Sequence, residues 1–145
     1  MKIENRGPKI EYRDIAAIEA ELDAELPFEY HDFLLRYNGG APTPNTVDVP
    51  NAPGMPTDVQ IFFGICRSSE TSNLSWNLSL ISDRCPNFHV LPIACDSGGN
   101  LFCLKVGRGI AAELVYCDLN SPECAFYSVA PTFGKFLSSL KSYGH

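Results

Sequence analysis

Ile15, Ile18 and Leu22 fall at i, i+3 and i+7, the stripe that an amphipathic helix buries. Asp14, just ahead of the stripe, is the expected N-cap, because a short carboxylate can accept from the first free helical N–H groups. The opposite face carries Glu19, Glu21, Asp23 and Glu25. Leu26 breaks the rhythm, and Pro27 suits the first turn of a second helix, where a missing N–H costs no hydrogen bond. Tyr30, Phe33, Leu34 and Tyr37 then recur at i, i+3, i+4 and i+7. Asn38-Gly39-Gly40 ends that helix, since Asn and Gly tolerate the left-handed conformation of a helix C-terminus.

Residues 42–56 hold Pro42, Pro44, Pro50, Pro53 and Pro56, a density that excludes a helix or a central strand. At most a short edge strand fits at Val47 and Val49. The apolar pattern resumes in Val59-Gln60-Ile61-Phe62-Phe63, a buried strand closed by Gly64, so the proline-rich segment is a loop inside one domain. Leu74, Leu78, Ile81 and Cys85 form a third helical stripe, capped by Thr71 or Ser72, with Trp76 off the stripe. Strands follow at 89–95, 100–106 and 111–118. Their joins, Asp96-Ser97-Gly98-Gly99 and Gly107-Arg108-Gly109, are short and Gly-rich, which means antiparallel hairpins. A strand at 125–129 precedes a last helix that buries Phe133, Phe136, Leu137 and Leu140. This order spells an α+β fold, helices packed on an antiparallel sheet, in a single domain over residues 1–145.

Composition narrows the class. Hydrophobic residues make up 45% and charged ones 19% of 145 positions, a globular balance able to bury its own core. Eleven Lys and Arg against 17 Asp and Glu leave a net charge of −6, which argues against nucleic acid or an anionic membrane and favours a basic or neutral partner. Residues 1–36 hold nine acids and five bases, so most of the excess lies at this end. No run of 18 apolar residues exists, and residues 1–12 lack the apolar core of a secretory signal, so a cytoplasmic location is expected. Without a signal, the sequons Asn73-Leu74-Ser75 and Asn77-Leu78-Ser79 carry no meaning.

Cys66, Cys85, Cys95, Cys103, Cys117 and Cys124 form no C-x-x-C pair, and several sit inside apolar runs. They are expected to be free thiols packed as small hydrophobes. Cys85, His89 and Cys95 lack the paired knuckle of structural zinc, so no metal is expected. Catalytic templates are missing as well. There is no G-x-S-x-G, no H-E-x-x-H, and Gly134-Lys135 lacks the upstream glycine of a phosphate loop. His31, His89 and His145 have no nucleophile and orienting group close by in sequence. Asp96-Ser97-Gly98-Gly99-Asn100 is the best-looking local motif, and it reads as a hairpin turn with Gly at φ > 0 rather than an ion nest.

Three blocks together carry a resemblance: residues 26–40, from Leu26-Pro27-Phe28 to Asn38-Gly39-Gly40; residues 91–104, from Leu91-Pro92-Ile93-Ala94-Cys95-Asp96 to Leu104; and Val115-Tyr116-Cys117-Asp118 with the closing Ala130-Pro131-Thr132-Phe133-Gly134-Lys135-Phe136-Leu137. In this order they resemble the SUKH superfamily, the cell-wall-assembly-regulator-like proteins, over about residues 11 to 140. Thr132 stands where the family usually has Ser, and the proline-rich insert at 42–56 matches nothing in the pattern, which makes it a candidate specificity loop.

The resemblance implies an α+β immunity-type protein that binds a cognate polymorphic toxin, frequently a nuclease, with no catalytic residues and no cofactor. On this reading Glu19, Glu21, Asp23, Glu25, Asp48 and Asp58 steer a basic toxin surface, and Trp76 anchors it. No nucleic acid, membrane or small-molecule substrate is expected. The alternative is a regulatory or scaffold module without a toxin partner. An enzyme would need a Cys or His with a shifted pKa in a pocket.

Overall fold

The computed structural model describes residues 1–143; His145 lies outside them. Chain order is β1 (Lys2–Glu4), α1 (Tyr12–Leu22), α2 (Phe28–Tyr37), β2 (Ala41–Thr43), β3 (Thr46–Val47), β4 (Thr57–Asp58), β5 (Ile61–Phe62), α3 (Leu74–Arg84), β6 (Val90–Cys95), β7 (Leu101–Lys105), β8 (Leu114–Asp118), β9 (Ala125–Ala130) and α4 (Phe133–Ser139). The fold is α+β. Strands β5 to β9 form one antiparallel sheet in sequence order, because each is joined to the next without a crossover. Two small ladders flank it: β1 with β2, tied to the sheet edge where Gly40 pairs with Phe62 of β5, and β3 with β4.

Helices cover both faces of the sheet. Phe102 on β7 and Tyr116 on β8 meet across their register, and Phe102 packs on Phe136 of α4 at 5.3 Å between ring centroids. Phe62, Phe33 and Phe133 extend this aromatic cluster to α2, Phe33 lying 4.9 Å from Phe62 and 5.0 Å from Phe133. Successive strand residues face opposite ways, so Cys117 and its partner Phe126 point to the other face, where Phe88, just after α3, packs on Phe126 at 4.5 Å.

Several local details differ from expectation. Asp14 is not the cap of α1 but its third residue: the helix begins one turn earlier, and the Asp14 carboxylate accepts from the Glu11 N–H at 2.8 Å. Asn73, not Thr71 or Ser72, precedes α3, and its side-chain carbonyl oxygen accepts from the Arg67 N–H at 2.8 Å. The strand expected over 59–63 shortens to Ile61–Phe62 (β5); β4 precedes it, with Val59 fully buried between the two. The proline-rich segment is tied down by β2 and β3; Val47 joins a strand, whereas Val49 is buried outside one.

The cysteines depart furthest from expectation. Cys85 at the end of α3 and Cys124 in the β8–β9 loop form a disulfide, their Cα atoms 6.0 Å apart. Sequence spacing cannot show such a pair, since 39 positions separate the two. Cys103 and Cys117 are free and buried, as apolar runs imply; Cys66 is free and exposed. Burial, with Asp96 beside it, pushes the Cys95 thiol up to about 11.

Candidate partner-docking surface

The acidic end of α1 is built against helix electrostatics. Glu19, Glu21 and Asp23 lie in its last turn and C-cap, where the helix dipole disfavours negative charge, and no base occupies that turn. Among the described residues, no ion pair involves Glu19, Glu21, Asp23 or Glu25, although Lys2–Glu4, Arg13–Glu11, Arg36–Asp32, Lys105–Glu113 and Lys141–Asp48 are all paired. Arg108, in the β7–β8 loop, lines a cleft with Glu19, Asp23 and Glu25 without closing an ion pair.

The four acids are not equivalent. Glu19 is half-buried, and its Oε2 accepts from the Leu26 N–H at 2.7 Å, which fixes the turn between α1 and α2. Glu21 accepts from Ser75 Oγ on α3 at 3.3 Å. Asp23 adopts the left-handed conformation, φ 51°, that ends α1, and Glu25 is exposed in the connection to α2.

Beside these acids runs a groove of about 510 Å³ between α1 and α2. Tyr12 opens α1 at 70% exposure and Phe28 opens α2 at 84%. His31 packs against Tyr12 with 5.3 Å between ring centroids, while Leu26 and Leu35 floor the groove. Glu19, Glu25 and Asp32 rim it, and no Lys or Arg lines it among the described residues. Sequence periodicity misses Tyr12 and Phe28 because both precede the buried stripes. Their signal is indirect: large aromatics at the first helical positions, off the core face.

The remaining sequence candidates lie elsewhere. Asp48 is paired with Lys141 Nζ at 2.6 Å. Asp58 accepts from the backbone N–H of Ser97 at 2.9 Å and from its hydroxyl, tying β4, which follows the proline-rich loop, to the β6–β7 turn. Trp76 is 37% exposed on α3, one position before the buried Asn77, and does not line the α1–α2 groove.

The Asp96–Asn100 turn is a hairpin, with Gly99 at φ 85°. Asp96 is buried and fully used. Its carboxylate accepts from Thr57 Oγ1 at 2.8 Å, from the Gly98 and Asn100 N–H groups at 3.0 and 2.8 Å, and from the Tyr116 hydroxyl. Burial and that carboxylate push Tyr116 well up, so the phenol stays a donor. A cleft of about 630 Å³ opens over this network, and Thr57, Asp58, Asp96, Ser97 and Tyr116 in its lining are hydrogen-bonded among themselves. Among the described residues, no group of three or more His, Cys, Asp or Glu is placed to hold a metal ion.

A family model of the SMI1/KNR4 family (SUKH-1) matches residues 10–139. The chain belongs to the SMI1/KNR4 family. Among the described residues, the match takes in all four α-helices and the whole five-stranded sheet. The SMI1/KNR4 chain is also similar to the SPbeta prophage-derived uncharacterized protein YokK of Bacillus subtilis (strain 168), with 28% identity over 154 residues covering 93% of this chain and 77% of that protein. No solved structure matches it significantly. No helix is long and apolar enough to cross a membrane among the described residues.

Proposed function

We propose that this SMI1/KNR4-family chain is a bacterial immunity-type protein that neutralises a cognate polymorphic toxin by binding it, without catalysis of its own. One observation carries the reading: carboxylates cluster, without ion pairs among the described residues, at the end of α1 that disfavours them, beside two aromatic side chains left in water. Such an arrangement costs stability in the free protein and is useful when a basic partner covers it. In this reading Glu21, Asp23 and Glu25 steer and contact the toxin. Asp48 and Asp58, each engaged within the chain, add to the field, and Trp76 is a second anchor on the neighbouring α3. The toxin has a basic surface, as a nuclease does. The protein acts in the cytoplasm.

The test is co-expression with the toxin domain encoded beside this chain. Cells survive when the chain is present and die when it is absent, and the two proteins co-purify. Death in its presence, with no complex, overturns the proposal for that toxin.

A further inference from the structure

We infer that the α1–α2 groove is a seat for an arginine side chain presented on an apolar segment of the partner. The inference rests on the proposed function and names the chemistry of the contact.

The groove supplies the two features that guanidinium recognition uses. The first is aromatic faces. Tyr12 and His31 are packed against each other, and Phe28 stands 84% exposed at the start of α2. A planar guanidinium gains from lying against such rings, more than a compact ammonium does. The second is carboxylate acceptors at the rim. Glu19 is held by the Leu26 N–H through Oε2, so its other oxygen is pre-positioned rather than free to swing. Glu25 has no ion pair among the described residues, and Asp32 shares its charge only with Arg36, at 3.6 Å. A carboxylate accepts the guanidinium fork side-on with two parallel hydrogen bonds, a geometry unavailable to lysine. Leu26 and Leu35 give apolar neighbours on the partner segment a surface to cover.

Charge settles the sign of the occupant. With three acids and no Lys or Arg along the groove, an acidic segment is repelled, and a neutral one leaves Glu19 and Glu25 uncompensated, Asp32 alone being paired with Arg36. A second copy of this chain, net charge −6, is disfavoured for the same reason. An arginine satisfies rings and carboxylates together.

The probe is acetyl-Leu-Arg-Leu-amide, titrated into the isotope-labelled full chain and followed by amide shifts. Shifts confined to Tyr12, Glu19, Leu26, Phe28–Asp32 and Leu35 are expected. Replacing arginine by citrulline, equal in shape but uncharged, weakens binding about tenfold, and lysine falls between the two. Phe28→Ala and Tyr12→Ala, both at exposed positions, keep the fold and lose the shifts. No binding, shifts spread over the whole acidic surface, or equal affinity for arginine and citrulline overturns the inference. The same variants separate it from the proposed function. If Phe28→Ala and Tyr12→Ala still rescue cells from the toxin as well as the wild type does, the groove is not the seat and the inference fails while the function stands. If the wild type fails to rescue while the peptide still binds at the groove, the immunity reading fails and the arginine seat stands.

Discussion

Neutralising the acidic end of α1 separates a docking role from a structural one, because the two predict opposite changes. The variant combines Glu21→Gln, Asp23→Asn and Glu25→Gln, which removes three negative charges with little change of shape. An amide in place of the Glu21 carboxylate keeps an acceptor for Ser75 Oγ. Asparagine in place of Asp23 keeps the tolerance for φ 51° that the C-cap demands. Glu19 is left alone, since it holds the Leu26 N–H. Each acid at the C-terminal end of a helix costs about 0.3–1 kcal/mol, so relieving Glu21 and Asp23 stabilises the fold by about 1 kcal/mol. For a chain of this size that raises Tm by about 2–4 °C, read by scanning calorimetry at low salt. Association with the partner slows by about tenfold at low ionic strength, measured by stopped-flow mixing, and the gap narrows as salt screens the field. A lower Tm with unchanged association would refute the reasoning, since the acids would then serve the fold.

Three further outcomes follow from the packing. Tyr30 has a buried hydroxyl with no hydrogen-bond partner among the described residues, whereas the hydroxyl of Tyr116 donates to Asp96 and accepts from Asn100. Tyr30→Phe therefore stabilises by about 1 kcal/mol while Tyr116→Phe destabilises by about 1–3 kcal/mol in urea unfolding, and equal signs would contradict the contrast. Reducing the Cys85–Cys124 bond, which closes a loop across 39 positions, lowers stability by up to about 4 kcal/mol, but the chain stays folded on its buried core, as near-ultraviolet circular dichroism in reductant should show. Glu113 is held below the usual carboxylate range by its hydrogen bond to Lys105, at 2.9 Å. A depressed folded pKa adds stability above the unfolded value and loses it as pH falls through the folded one, so Lys105→Gln should raise the Glu113 midpoint in a carboxyl NMR titration.

Much of the architecture was legible in the chain. The stripe Tyr30, Phe33, Leu34 of α2 and the glycine joins of β6, β7 and β8 are local signals that lie where their patterns put them, except that β8 starts at Leu114 rather than at 111. What stayed hidden depends on contacts between distant residues. Asn38 reads as a helix stop, and it does take φ 51° there. Its side chain also bonds the carbonyls of Pro8 and Ile65 at 2.9 and 2.7 Å and accepts from the Ile65 N–H at 2.7 Å, a strut that no period reveals. Gly7 and Gly64 crowd so closely on it that a Cβ on either would overlap the Asn38 carbonyl oxygen. The acids of α1 were visible as a face, but that Glu19 and Glu25 rim the groove beside Phe28 follows only from how α1 and α2 pack.

The most direct test of the proposed immunity role is a calorimetric titration, into this chain, of whatever toxin domain is encoded beside it, with that domain's activity followed on the same samples. The account predicts one-to-one binding that weakens with salt and silences the toxin in proportion to occupancy. Full toxin activity in the presence of excess chain, with no heat of binding, would contradict it.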